Sequence, residues 1–127
     1  MSELTNDSAR AEILRRFCYD SPPPPGSTLE TLALYAIYGI PTGDFLYSVL
    51  TNDLYGSFMR ADGFNGPALK SICGIIYSCT PSGCHGTSQR ITEWVEARRG
   101  HPLQRSLVPA SIQLLADAAG VRFPDDK

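Results

Sequence analysis

Residues 39–62 read GIPTGDFLYSVLTNDLYGSFMRAD, and this stretch decides how the chain folds. A Pro/Gly turn, GIPTG, leads into a pattern whose apolar residues recur at helical spacing. At about 100° per residue, Phe45, Leu46, Val49 and Leu50 fall on one side of a helix. The spacing therefore predicts one amphipathic helix that begins after the turn and continues to about residue 60.

Two charged residues lie on the apolar side of this predicted helix. Asp53 and Arg60 are seven positions apart, with the small residues Gly56 and Ser57 between them. Because burying either charge without a partner is costly, the pair needs an explanation. Either it holds the helix against its neighbours through capping and ion pairing, or the notch between the side chains receives a ligand or partner group. The candidate binding residues are Asn52, Asp53, Arg60, Asp62 and Asn65.

Helical patterns separated by Pro and Gly breaks also cover the rest of the chain. We predict an all-α fold, a compact single domain of five to six short helices over residues 1–127. Residues 1–26 supply an N-terminal helix and a stiff proline-rich spacer. Residues 27–99 form the core, and residues 100–127 form a C-terminal extension whose last seven residues, VRFPDDK, are expected to be loose. The central helices of the predicted core cover residues 29–37, 45–59 and 69–77.

The composition is that of an ordinary globular domain. The 127 residues are 43% hydrophobic and 19% charged, with a formal net charge of −2, and this length suits one domain with one core. A negative net charge gives no general attraction to nucleic acid or to an anionic membrane. No apolar run is long enough to span a bilayer, and the polar N-terminus has no signal-peptide pattern. We therefore expect a protein of the cytoplasm.

The cysteines raise the question of a metal site. Cys79 and Cys84 flank a turn, and His85 follows directly. A structural zinc site needs four ligands, and the fourth here would be either Cys73, within a helical pattern, or the distant His101. We expect the cysteines to act as small buried apolar side chains, with no metal and no cofactor.

The middle of the chain, residues 38–95, resembles a family of small, mostly uncharacterised proteins of tailed phages and prophages. The shared pattern is a Gly-x-Pro-x-Gly turn, a Phe-Leu-x-x-Val-Leu-x-Asn-Asp-Leu helix, an Arg-Ala-Asp tripeptide, and a Cys-x-Gly-Ser-type helix start before a tryptophan. The matching residues are Gly39, Pro41, Gly43, Phe45, Leu46, Val49, Leu50, Asn52, Asp53, Leu54, Arg60, Ala61, Asp62, Asn65, Cys84, Gly86, Ser88 and Trp94. The chain departs from the pattern where His85 replaces an aromatic residue and Thr87 is inserted. The resemblance implies a phage origin and action in the bacterial host cytoplasm, without an established activity.

Three functions are compatible with the sequence. The one we favour is a phage-type interaction protein that inhibits a bacterial defence component, or another host protein, by binding it. The second is a sponge for a nucleotide-like anion held by Arg60 and the turn at residues 39–43. The third is a metal- or cysteine-dependent hydrolase, which is the least favoured because the common hydrolase motifs are absent. The candidate residues for such catalysis are Asp53, Asp62, Cys84 and His85.

Self-association is a further expectation that the sequence leaves open. Tyrosine is common in protein interfaces because its ring is apolar and its hydroxyl forms hydrogen bonds. Four tyrosines in and around the 39–62 stretch are candidates for such contacts. They are Tyr35, Tyr38, Tyr47 and Tyr55.

Overall fold

The computed structural model describes the backbone of residues 2–126 and the side chains of residues 6–126. Within these bounds the chain forms seven α-helices, two short 3-10 turns (Ser82–Cys84 and Arg105–Leu107) and no strand. The helices are α1 (Ser2–Phe17), α2 (Gly26–Tyr38), α3 (Asp44–Leu50), α4 (Leu54–Arg60), α5 (Leu69–Cys79), α6 (Ser88–Gly100) and α7 (Ala110–Ala119). The all-α, single-domain prediction is therefore confirmed, but the predicted count of five to six helices is too low.

The core is built around α2, which packs against α6 and α7, while α1 packs against α7 and α5. The side chains of Leu32, Tyr35 and Ile37 are buried, and burial of each large apolar side chain contributes about 1.5–3 kcal/mol. The hydroxyl of Tyr35 donates a hydrogen bond to the carbonyl oxygen of Cys84 at 2.6 Å. None of the helices in residues 2–126 combines the length and apolar character needed to cross a membrane.

The predicted single helix over residues 44–60 is wrong, because the chain breaks between α3 and α4. Asn52 has a φ of +64°, in the left-handed region, and asparagine tolerates this conformation better than most residues. Asp53 then caps the new helix, since its Oδ1 accepts the N–H of Gly56 at 2.9 Å. Helix α4 folds back against α3. This break accounts for the additional helix.

The C-terminal residues 121–126 pack against the body, so the prediction of a loose tail is wrong there; Lys127 lies outside the described residues. Val121 and Phe123 are buried. The guanidinium of Arg105 lies over the ring of Phe123, at 4.8 Å from its centroid. It also forms ion pairs with Asp117 and Asp126, each at 2.7 Å. The sequence offered no partner for the tail because Arg105 and Asp126 are 21 positions apart.

The left-handed turn at Asn52 predicts unequal effects of two substitutions. Asn52→Gly is tolerated because glycine adopts positive φ freely. Asn52→Val lowers the free energy of unfolding by about 1–2 kcal/mol, because a β-branched residue strains this conformation. Urea unfolding followed by circular dichroism measures both changes. Equal stability of the two variants would contradict a left-handed residue at this position.

The ion pairs of the tail predict a loss of stability in acid. Hydrogen bonds from the Arg105 side chain lower the pKa of Asp126 below 3.8, and hydrogen bonds from the backbone N–H groups of Arg105 and Ser106 lower that of Asp125. Because the folded pKa values are lowered, this stabilisation is complete at neutral pH. It is lost as the pH falls below about 4. We expect the decrease in the free energy of unfolding between pH 5 and 3 to be smaller in Arg105→Met than in the wild type. Identical pH profiles would contradict this contribution.

Candidate functional site

The face of α4 that points toward α3 is polar. Nη1 of Arg60 donates a hydrogen bond to the Ser48 hydroxyl at 2.8 Å and lies 3.7 Å from Oδ2 of Asp53. Ser57 is buried, and its hydroxyl donates to the carbonyl oxygen of Asp53 at 2.6 Å. A Cβ atom at Gly56 would lie 2.2 Å from Oδ2 of Asp53 and 2.4 Å from Nη1 of Arg60. Glycine therefore leaves the space in which the two charged groups approach each other.

The Asp53–Arg60 pair lies at the surface, contrary to the prediction that both charges belong to a core-facing stripe. Their side chains are 50% and 49% exposed. The change of direction at Asn52 is the physical reason, because it rotates residues 53–60 relative to the apolar side of α3. The pair therefore escapes the cost of burying a charge, and an exposed ion pair of this kind contributes less than about 1 kcal/mol.

Several depressions adjoin the start of α3, and two of them share both Asp44 and Tyr47. The notch, of about 310 Å³, is lined by Asp44, Tyr47, Ser48, Thr51, Asp53 and Arg60. The cleft, of about 440 Å³, is lined by Tyr35, Pro41, Thr42, Gly43, Asp44, Tyr47, Ile91, Thr92, Val95, Glu96 and Arg99. Asp44 and Tyr47 belong to both, so the notch and the cleft lie on either side of these two residues. The 39–43 turn and α6 thus extend the surface that begins at the Asp53–Arg60 pair.

The notch and the cleft differ in chemical character. Carboxylates outnumber guanidinium groups in the notch, where Asp44 and Asp53 accompany Arg60. The cleft has apolar walls and, among its lining residues, also carries two carboxylates and one guanidinium, from Asp44, Glu96 and Arg99. An anion would meet more negative than positive charge in both depressions. The combined surface suits an apolar group with neutral or cationic polar atoms around it.

Asp62 and Asn65, which the sequence grouped with Asp53 and Arg60, stabilise the loop after α4. Oδ1 of Asp62 accepts the N–H groups of Asn65 and Phe64 at 2.7 and 2.9 Å, and these hydrogen bonds lower the pKa of the Asp62 carboxyl. Oδ1 of Asn65 accepts a hydrogen bond from the hydroxyl of Thr28 at 2.6 Å, which ties the loop to α2. Neither residue lines the notch.

Asn52 lines neither the notch nor the cleft. It is exposed and lines a separate pocket of about 250 Å³ with Cys73, Tyr77, His85 and apolar residues. Nε2 of His85 is buried without a hydrogen-bond partner, and burial lowers the pKa of this imidazole. Of the five predicted binding residues, the structure therefore brings only Asp53 and Arg60 together in one depression.

The cysteines are free thiols, and Cys79 and Cys84 are buried. Burial raises the pKa of each of these two thiols to about 11, so both are protonated at neutral pH. A nucleophilic cysteine needs the opposite shift, because the thiolate is the reactive form. Among residues 6–126, no three His, Cys, Asp or Glu side chains are grouped closely enough to hold a metal ion.

Sequence analysis missed the face of α4 that points away from α3. The four side chains of this outer face are exposed, from Phe58 at 58% to Tyr55 and Met59 at 84%, with Leu54 at 63%. Of these residues, the sequence predicted only Tyr55 as an interface aromatic, because a continuous helix would have placed the others differently. The usable signal is the spacing Leu-Tyr-x-x-Phe-Met directly after an Asn-Asp helix start. Tyr35 is wrong as an interface candidate, since it is fully buried.

In comparisons with known proteins, no family model, no curated protein and no solved structure matches the chain. The resemblance to phage proteins therefore stays a prediction. Function has to be argued from the geometry of the notch, the cleft and the outer face of α4.

The exposure of the Asp53–Arg60 pair predicts small effects of its removal on stability. Asp53→Ala lowers the free energy of unfolding by about 1 kcal/mol, because α4 loses its N-cap. Arg60→Ala costs less than about 1 kcal/mol, because the ion pair is exposed. Urea unfolding of both variants tests this. A loss of several kcal/mol in Arg60→Ala would show that the guanidinium is buried and structural.

Proposed function

We propose that this protein acts in the cytoplasm of a bacterial host by binding a host protein and inhibiting it, and that the notch and the cleft form the binding surface. A component of a bacterial defence system is the target class that we favour, which rests on the resemblance of residues 38–95 to phage proteins. The observation that carries the proposal is the position of Tyr47. This half-exposed aromatic residue lies between a cleft with apolar walls and a notch lined by the polar side chains of Ser48, Asp53 and Arg60.

The make-up of this surface supports a protein partner. Protein interfaces combine an apolar centre with a polar rim, and their strongest contacts are enriched in Tyr and Arg. Here Ile91 and Val95 supply the apolar walls of the cleft. Arg60 lines the notch, and Arg99 lines the cleft. The guanidinium of Arg60 has five N–H groups and is half exposed. It can therefore donate a further hydrogen bond, for example to a backbone carbonyl oxygen of the host protein.

The two alternative functions have weaker support. A sponge for a nucleotide-like anion would place phosphates beside Asp44 and Asp53, where Coulomb repulsion opposes binding. A hydrolase would need an activated nucleophile, whereas Cys84 is buried with a raised thiol pKa. Binding of a protein requires neither an excess of positive charge nor a reactive group.

The proposal predicts that truncating Tyr47 or Arg60 weakens binding of the host protein. We expect about a tenfold loss or more for Tyr47→Ala and for Arg60→Ala, since truncation at the centre of an interface costs more than 1 kcal/mol. Tyr77→Ala is the matched control, because Tyr77 is an exposed tyrosine outside the notch and the cleft. Each variant is expressed with the same affinity tag in a bacterial host, and the host proteins that co-purify are quantified by mass spectrometry.

The expected pattern is one or more host proteins that co-purify with the wild type and Tyr77→Ala and are depleted with the other two variants. Circular dichroism establishes that all three variants are folded. Host proteins retained equally by Tyr47→Ala and Arg60→Ala would contradict the proposed surface. A wild type that retains none, but is recovered with a bound nucleotide, would favour the sponge.

A further inference from the structure

Helix α4 leaves its apolar outer face uncovered. Leu54, Tyr55, Phe58 and Met59 follow at positions i, i+1, i+4 and i+5, which places them on one side of the helix. All four are exposed, and Ser57 is the buried residue of this helix. A seven-residue helix has little stability of its own. A partner that covers this face would stabilise α4 and would remove an exposed apolar surface that lowers the solubility of the chain.

The size of the outer face fits the interface of a stable dimer. With about 200 Å² for each large residue, the four exposed fractions correspond to roughly 580 Å² of surface. A standard interface buries about 800 Å² on each partner, of which about 65% is apolar in homodimers. The outer face of α4 therefore supplies most of the surface that one side of such an interface requires. This area is at the upper end of the range of about 300–600 Å² for the largest patch of a monomer, and such patches are often functional.

The order of residues along α4 makes this face complementary to itself. Reversing the segment exchanges Leu54 with Met59 and Tyr55 with Phe58, and each exchange pairs similar side chains. A two-fold axis perpendicular to α4, level with the Gly56–Ser57 peptide, would therefore bring Leu54 of one copy to the level of Met59 of the other. The same axis would bring Tyr55 to the level of Phe58. Tyr55 of each copy would pack against Phe58 of the other, which forms two aromatic contacts. No charged residue lies between Leu54 and Met59, so self-pairing brings no like charges together in the centre.

We propose that the outer face of α4 is the interface of a homodimer, in which α4 of one copy packs antiparallel to α4 of a second copy. Such an interface is isologous, because the same surface is used on both copies. The proposal goes beyond the inhibitor function and does not rest on it. Asp53 and Arg60 lie on the opposite face of α4, so dimerisation leaves the notch open.

The test measures mass in solution by sedimentation velocity and by light scattering after size-exclusion chromatography. A thiol reductant is kept present so that the exposed Cys73 forms no disulfide between copies. We expect the wild type at micromolar concentration to have twice the chain mass of 13.8 kDa. Tyr55→Lys and Phe58→Asp each become monomeric, because each places a charge in the apolar interface. Tyr77→Lys, at an equally exposed tyrosine on α5, remains a dimer.

Mixing the two monomeric variants tests the antiparallel register. In that register, the lysine of Tyr55→Lys in one chain lies beside the aspartate of Phe58→Asp in the other chain. The mixed dimer therefore contains one contact between opposite charges. The second Tyr55–Phe58 contact stays intact. We expect the equimolar mixture to form a dimer at least tenfold more tightly than either variant alone. Because both sites are exposed, far-UV circular dichroism of each variant should match the wild type.

Two results would overturn the proposal. A wild type that remains at 13.8 kDa at hundreds of micromolar would exclude the dimer. A dimeric wild type that persists in Tyr55→Lys and Phe58→Asp, or a mixture of these variants that stays monomeric, would show that the two copies do not pair through this face in this register. Neither result bears on host-protein binding at Tyr47, which is measured separately.

Discussion

At Asn52 the backbone takes a left-handed conformation, and Asp53 starts a new helix by accepting the N–H of Gly56. These two residues separate α3 from α4 and turn α4 back against α3. The notch and the outer face of α4 both depend on this turn, whereas the cleft is formed by α2, α6 and the residues around the start of α3. The turn places Asp53 and Arg60 beside Ser48 in the notch, and it leaves Leu54, Tyr55, Phe58 and Met59 on the outer face.

We propose a different role for each face of α4: host-protein binding for the polar face and dimerisation for the apolar face. Its polar face continues the surface around Tyr47, where the cleft supplies apolar walls and the notch supplies hydrogen-bonding groups. Its apolar face has the area and the self-complementary order of a dimer interface. A dimer would present two copies of the notch and the cleft, so a host target with two equivalent sites would be bound with avidity.

Most of the fold could be predicted from the sequence, because apolar periodicity marks α2, α5 and α7 and glycines end α2 and α7. The break within residues 44–60 could not, since Thr51-Asn52-Asp53 contains neither proline nor glycine, the residues that most clearly mark the end of a helix. Because the end of α3 at Leu50 was not predicted, Asp53 and Arg60 were expected on a core-facing side, and the exposed apolar face of α4 was not predicted. The packed tail was missed for another reason: the partners of Arg105 are distant in sequence, and local patterns do not report such contacts.

The separation between Ser48 and Arg60 tests this account most directly. A continuous helix would hold these residues about 18 Å apart along its axis, because each residue advances it by about 1.5 Å. In the folded-back arrangement, Nη1 of Arg60 lies 2.8 Å from the Ser48 hydroxyl. Solution NMR of the isotope-labelled chain should therefore show nuclear Overhauser contacts between the side chains of Ser48 and Arg60. An absence of these contacts, together with unbroken helical contacts from residue 48 through residue 56, would contradict the turn at Asn52 and both surfaces derived from it.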